Sequence, residues 1–320
     1  MLAASLALVA GLVLLVGGGE FLVRGAVALA EKAGLSQLLI GLTIVAFGTS
    51  APELVASIEA VRSNAPAIAW GNIIGSNLAN SLLILGLAAV IFPLAVERKP
   101  LWRDAGLALA VTAALYLGAL GNMIGTVAGI AALMLLAAYI VFAYFSERAS
   151  GAAQKEARAA ASDGEESAKA TPLWRSVLYL IGGLAGIGFG GEWLISGAVD
   201  IATYFGLSQT TIGLTIVAIG TSLPEAVTTI IAAMKKASAV ALGNILGSNL
   251  FNLLLIGGVT ALAAPNSMPA ELISFGLPYL LAITVIMLFF AVTHYRVGRR
   301  EGGVLLALFV VQLVFSVHSA

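Results

Sequence analysis

The sequence predicts an all-α polytopic membrane protein, ten transmembrane helices arranged as two inverted five-helix repeats. Three observations carry that expectation. Hydrophobic residues make up 60% of the 320 positions and charged residues only 10%. Apolar stretches near twenty residues recur from end to end, and about twenty helical residues cross a hydrocarbon core of about 30 Å. Residues 34–86 reappear, without a gap and mostly identical, at 206–258, an offset of 172. Finally, 15 of the 16 Lys and Arg residues fall on one side of the segments so defined. The other spanning design, a β-barrel, needs alternating segments of about ten residues, and none are present.

The predicted spans, in order, are 2–24, 37–61, 68–92, 104–119, 123–145, 174–199, 208–233, 240–263, 271–292 and 303–318. The first, LAASLALVAGLVLLVGG, lacks the basic opening of a signal peptide. Its continuation GEFLVRGAV at 19–27 aligns with GEWLISGAV at 191–199, so it is read as a retained helix. The second and third spans hold the first copy of the repeat; the seventh and eighth hold the second. Between the fifth and sixth lies the longest polar stretch, 146–172, rich in Ala, Ser and charge and read as a connector. The organisation expected is therefore a first half at 1–145, a connector at 146–172 and a second half at 173–320.

Only Arg62 lies apart from the other bases. The excess of Lys and Arg on cytoplasmic loops then puts both termini outside and the connector in the cytoplasm of a multi-pass cell-membrane protein. Five spans per half is an odd number, so the two copies run in opposite senses. With 16 bases and 16 acids the net charge is zero, which argues against a nucleic-acid partner; the lipid bilayer is the partner expected, with no obligate protein partner evident. Cys is absent, which excludes disulfides, thiolate metal sites and a cysteine nucleophile. No Ser/His/Asp constellation or HExxH motif suggests an enzyme, and no cofactor motif is present.

The chemistry is concentrated in two motifs, each present twice. GTSAPE at 48–53 is followed by GNIIGSNLAN at 71–80, and GTSLPE at 220–225 by GNILGSNLFN at 243–252. Gly48 and Pro52 weaken the helix, because proline lacks an N–H and clashes with the carbonyl four residues back. In hydrocarbon such freed carbonyls need a cation or a wet cavity to satisfy them. Thr49, Ser50 and Glu53 share one helical face, as do Thr221, Ser222 and Glu225. Ser76 and Asn80 are four apart, like Ser248 and Asn252, and add two further faces of oxygen ligands.

Two carboxylates with hydroxyls, amide oxygens and freed carbonyls form a hard, all-oxygen site. That suits Ca²⁺ or Na⁺ and not zinc or copper. Two acids facing each other in low dielectric need a cation or a proton between them, and competition among such cations is a physical basis for exchange. Acids on kinked helices of an antiparallel repeat also fit alternating access better than the acidic ring of a channel.

Other features read as structural. Gly71, Gly75, Gly243 and Gly247 are packing positions, and Asn72, Asn77, Asn244 and Asn249 are candidates for interhelical hydrogen bonds. Glu20 pairs with Arg24 one turn on; Ser196 replaces that arginine beside Glu192 in the second copy. Glu59 has no acidic counterpart and reads as a helix-end charge. Trp70, Trp102, Trp174 and Trp193 lie near span ends and fit an interfacial belt. Neither His294 nor His318 has the setting of a ligand or base.

The two blocks resemble the α-repeats of the cation/Ca²⁺ antiporter superfamily, specifically the prokaryotic sodium/calcium exchangers. The resemblance covers the ten-helix layout, and its motifs cover about a third of the chain. It implies Na⁺/Ca²⁺ antiport by alternating access, the first helix of each half sliding against an eight-helix core. It implies Glu53 and Glu225 as the acids that bridge Ca²⁺, and Thr49, Ser50, Thr221 and Ser222 as flanking ligands. The carbonyls of Ala46 and Ala218 match backbone ligands, Ser76 and Ser248 the outer sodium positions, and Asn80 and Asn252 the mid-site positions. Potassium-dependent members carry aspartate where this chain has Asn252, and the proton-coupled branch shows GNxxE where this chain has GTSxPE. Both departures argue for sodium coupling; the alternative is antiport of Ca²⁺, or another divalent cation such as Mg²⁺ or Mn²⁺, against H⁺.

Overall fold

The computed structural model describes residues 2–33, 35–161, 172–205 and 218–319. It is almost wholly helical. Helix α1 spans Leu2–Ala33. Helices α2 (Gln37–Thr49) and α3 (Ala51–Arg62) form a pair bent by 43°. Next come α4 (Pro66–Ile91), α5 (Arg98–Leu120) and α6 (Thr126–Ala161). In the second half α7 spans Leu173–Tyr204, a short turn Ala218–Thr221 leads into α8 (Leu223–Met234), and α9 (Ser238–Ala263), α10 (Leu272–His294) and α11 (Arg299–Ser319) follow. A two-residue antiparallel ribbon pairs Leu94 with Val297 and Ala95 with Arg296, joining the loop after α4 to the loop before α11.

Among the described residues seven helices are long and apolar enough to cross a membrane, eight if the bent pair is one span. Positions 208–217 of the predicted seventh span, and 162–171 of the connector, lie outside the described residues. The connector opens as helix, because α6 continues to Ala161. Helix α1 likewise runs nine residues beyond the predicted end of its span, to Ala33.

The repeat is visible element by element. Helix α3 (Ala51–Arg62) and α8 (Leu223–Met234) correspond at the sequence offset of 172, and so do Pro66–Leu78 and Ser238–Leu250. Even the turns match. Asn64 and Lys236 both adopt positive φ, 57° and 60°. In each turn the next residue donates back to the carbonyl five earlier, Ala65 to Ala60 and Ala237 to Ala232, both at 2.8 Å.

Helices α4 and α9 form the centre, buried over 72% and 83% of their apolar windows, against 33% or less for α1, α5, α6, α7 and α10. The outer helices turn Leu, Val and Phe side chains outward, as a lipid-facing surface requires. Trp70 departs from the interfacial expectation: it is fully buried in α4 and its Nε1–H donates to Ser267 Oγ at 3.2 Å. An indole that finds a polar partner can sit in the core. Trp102, Trp174 and Trp193 are exposed, as an interfacial position requires.

Two glycine seams set how the layers meet. Helices α1 and α7 run antiparallel in backbone contact, with Gly11, Gly18 and Gly25 facing the carbonyls of Gly190, Gly183 and Ser176 at seven-residue intervals. A Cβ on Gly11 would lie 2.5 Å from the Leu194 nitrogen, and one on Gly25 2.5 Å from the Leu180 nitrogen. The second seam brings α9 against α2, where a Cβ on Gly243 would meet the Leu38 carbonyl at 2.6 Å and one on Gly247 the Leu42 carbonyl at 2.5 Å. Those two glycines are packing positions, as the sequence suggested. The partners that the repeat assigns to Gly71 and Gly75 fall largely within 206–217, outside the described residues.

Candidate cation site

The break between α2 and α3 falls at Ser50, whose φ and ψ of −84° and 3° interrupt the helix. Ser222 does the same before α8, at −89° and 4°. Pro52 and Pro224 stand in the first turn of the new helix, where a missing N–H costs nothing. Each break places its glutamate in that first turn too, so Glu53 and Glu225 sit at helix N-termini, where the macrodipole favours a carboxylate. Both are buried, at 2% and 1% exposure.

The halves serve each other here. Ser50 Oγ donates to Glu225 Oε1 at 3.0 Å, and Ser222 Oγ donates to Glu53 Oε1 at 3.3 Å. Each serine thus holds the acid of the opposite repeat, which brings the two breaks face to face. Ser248 Oγ also donates to Glu225 Oε1, at 3.4 Å. Its counterpart Ser76 instead donates to Asn72 Oδ1, also at 3.4 Å. Thr49 Oγ1 is shared between the Ala46 carbonyl (3.3 Å) and Asn244 Oδ1 (3.1 Å). The Ala46 carbonyl already accepts the Ser50 N–H at 2.9 Å, so it is released to a ligand only when Thr49 turns away. Thr221 and Ala218 lie in the short turn preceding Ser222.

Behind the acids is a scaffold the motifs did not disclose. Asn72 Nδ2 donates to the Glu53 carbonyl (3.2 Å) and to Ser57 Oγ (3.0 Å). Asn244 Nδ2 repeats this with the Glu225 carbonyl (3.3 Å) and Thr229 Oγ1 (2.9 Å). The asparagines are therefore interhelical partners that fasten the glutamate turns. Ser57 and Thr229 went unnoticed in the sequence, although each is a hydroxyl four residues after its glutamate in both copies. Asn80 Nδ2 donates to Asn249 Oδ1, and Asn249 Nδ2 to Ser81 Oγ, both at 3.1 Å, tying α4 to α9. Among the described residues Asn77 bonds within its own helix, to the Ile73 carbonyl.

Asn80 and Asn252 lie one residue into wide turns of π geometry, Ala79–Ile84 and Phe251–Ile256. Such insertions shift a side chain off the regular helical face and recur at functional sites. Both side chains are buried, and among the described residues Nδ2 of Asn252 has no hydrogen-bond partner and neither has Oδ1 of Asn80 or Asn252. The same holds for Oε2 of Glu53 and Oε2 of Glu225. Four buried acceptors without donors, two of them on carboxylates, is a costly arrangement for a protein alone, of order 1–3 kcal/mol for each neutral group and more for charged ones. Hard cations are the ligands that suit such oxygens. Among the described residues no group of three or more His, Cys, Asp and Glu gathers anywhere, so the charge of this site is set by its two glutamates.

The other singled-out residues lie elsewhere. Glu20 bonds Arg24 through Nε at 2.6 Å, as expected, and also Lys235 at 2.6 Å, which was not. Glu59 is exposed and meets Arg62 at 3.9 Å. His294 ends α10.

Comparison with known proteins agrees in sequence and fold. The family described as sodium/calcium exchanger protein matches residues 3–147 and 175–318. A putative antiporter, CaxA of Alkalimonas amylolytica, is 35% identical over 313 residues, covering 97% of each chain. Sodium/calcium exchanger MaX1 of Methanosarcina acetivorans is 33% identical over 343 residues, again covering 97% of each. Among solved structures, the sodium-calcium exchanger NCX_Mj soaked with 10 mM Na⁺ and 10 mM Sr²⁺ superposes with a TM-score of 0.84 at 29% identity, covering 98% of both chains.

Proposed function

The chain belongs to the sodium/calcium exchanger protein family, a family of membrane transporters and not of enzymes, and from that premise we propose that it exchanges Na⁺ for Ca²⁺ by alternating access. Both ions compete for one all-oxygen site centred on Glu53 and Glu225. Thr49, Ser50, Thr221, Ser222, Ser76, Ser248, Asn80 and Asn252 contribute oxygens around it, with the Ala46 and Ala218 carbonyls. The observation that carries this reading is the set of four buried acceptor oxygens without donors, two of them on carboxylates held by serines from opposite repeats.

Charge explains why the exchange is obligatory. With two carboxylates ionised the site holds two negative charges, which one Ca²⁺ or two Na⁺ neutralise. Closing the protein around an empty site would bury both charges unpaired, at several kcal/mol per ion. A loaded carrier changes face and an empty one does not, so outward and inward fluxes are tied together. Ser50 and Ser222 donate to the acids in the arrangement seen here; turning their hydroxyl hydrogens away presents oxygen lone pairs to a cation instead.

The same proposal includes the architecture: ten transmembrane helices in two inverted repeats, 1–145 and 173–320, joined by 146–172 on the cytoplasmic side of the cell membrane, with both termini outside. The antiparallel α1–α7 seam supports the inversion, and the one-sided distribution of bases supports the orientation.

The test is ⁴⁵Ca²⁺ uptake into proteoliposomes loaded with Na⁺, compared with vesicles loaded with K⁺ or choline at matched pH. Uptake only with internal Na⁺, insensitive to an imposed proton gradient, is the expected result. Uptake driven by internal acid whatever the Na⁺ would reassign the coupling ion to H⁺.

A further inference from the structure

A recess of about 690 Å³ opens where α1, α7 and the turn between α8 and α9 converge. Arg24, Lys235 and Lys236 line it, together with Tyr179, Gln37 and Glu31. Each layer contributes: Arg24 and Glu31 come from α1, Tyr179 from α7, and both lysines from the core. Arg24 and Lys235 are both held by Glu20 Oε1, at 2.6 Å each. Lys236 has no ion pair among the described residues and is exposed in its turn of positive φ. Three bases against Glu31 and Glu20 leave the recess net positive, with a phenol and an amide as further donors.

Its depth is fixed by aromatic residues. Phe21 stacks on Tyr179 at 5.5 Å, and exposed Trp174 lies just over one helical turn before Tyr179 on α7. Trp and Tyr gather at headgroup level. The rule that puts most bases on the cytoplasmic face puts this recess there too, facing the anionic leaflet; that placement rests on the orientation proposed above. The geometry points to a binding site for the phosphate group of an anionic lipid, seated between Arg24 and the two lysines. A phosphate there fastens the α1–α7 pair to the core through its oxygens.

Native mass spectrometry of the detergent-purified protein, titrated with phosphatidylglycerol, phosphatidylcholine or inorganic phosphate, tests this. Phosphatidylglycerol should be retained in preference to phosphatidylcholine. Lys236→Gln should weaken its binding about fivefold, and the Lys235→Gln/Lys236→Gln double variant by about fivefold again. Lys99→Gln, an exposed base outside the recess, should bind as the wild type does. Equal retention of phosphatidylcholine, or an equal loss with Lys99→Gln, would overturn the site. Displacement of phosphatidylglycerol by millimolar inorganic phosphate would reassign it to a soluble anion. The readout is lipid binding and not ion flux, so the result is independent of whether the exchange reading holds.

Discussion

Glu225→Gln preserves the shape of the side chain and removes one of the two charges at the centre of the site. Gln Oε1 can still accept from Ser50 and Ser248, which lie 3.0 and 3.4 Å from the native oxygen, so the fold should survive. What changes is the electrostatics. Two unit charges 4 Å apart interact by about 4 kcal/mol at an effective dielectric of 20, and a divalent ion doubles that to about 8. Part of this is offset because one charge fewer is desolvated. A net loss of at least about 4 kcal/mol is a fall in Ca²⁺ affinity of roughly a thousandfold.

The cation-free protein should respond in the opposite direction, because the two acids repel each other across the site. Thermal unfolding in chelator should therefore occur at higher temperature for Glu225→Gln than for the wild type. Added Ca²⁺ should raise the wild-type midpoint and leave that of the variant unchanged. Two assays are paired: ⁴⁵Ca²⁺ uptake into Na⁺-loaded proteoliposomes, and the melting midpoint with and without Ca²⁺. Uptake within tenfold of wild type, or a variant less stable in chelator, would refute the assignment of Glu225 as a cation ligand.

Other substitutions probe the surroundings. Asn252→Asp adds a titratable group, so its ion preference should match wild type at low pH, where the new acid is protonated, and diverge as pH rises; superimposable pH profiles would place Asn252 outside the pocket. Thr229→Val leaves the shape intact but removes the hydroxyl that Asn244 bonds at 2.9 Å, and should cost about 1–2 kcal/mol in stability and loosen the Glu225 turn, read as a lower melting midpoint with weaker Ca²⁺ affinity. Gly11→Ala drives a methyl against the Leu194 nitrogen and should destabilise by about 1–3 kcal/mol, whereas Gly17→Ala, with nothing within 4 Å of the new methyl, should be close to neutral. Equal melting midpoints for those two would show that the seam tolerates separation.

The sequence made the centre of the candidate site legible and its support much less so. Glu53 and Glu225 stood out because an acid in a doubled apolar motif has few structural uses. Asn72 and Asn244 were visible only as polar residues with several possible partners, since the hydrogen bonds they make depend on how two spans cross. Ser57 and Thr229 were missed because one hydroxyl on an apolar helix ordinarily bonds its own backbone. Trp70 was misplaced because nearness to a predicted span end does not say whether that end is lipid-facing or enclosed. Helix α4 turned out to be central, and its tryptophan with it. The α1–α7 seam was open to reading in the seven-residue spacing of Gly11, Gly18 and Gly25, but the partner helix was not, being some 160 residues away in the chain.

That seam makes one mechanical object of two helices. A 32-residue helix is about 48 Å long, and a single slender rod of that length bends readily under thermal forces. Two rods joined rib to rib behave as a laminated beam, whose stiffness comes from the inability of the layers to slip past each other. A load applied near one tip is then delivered to the other with little lost to flexing between. The turn bearing Lys235 touches this beam at Glu20, near the middle of α1. A tug there, whatever supplies it, should be felt at both tips as a displacement of the whole beam.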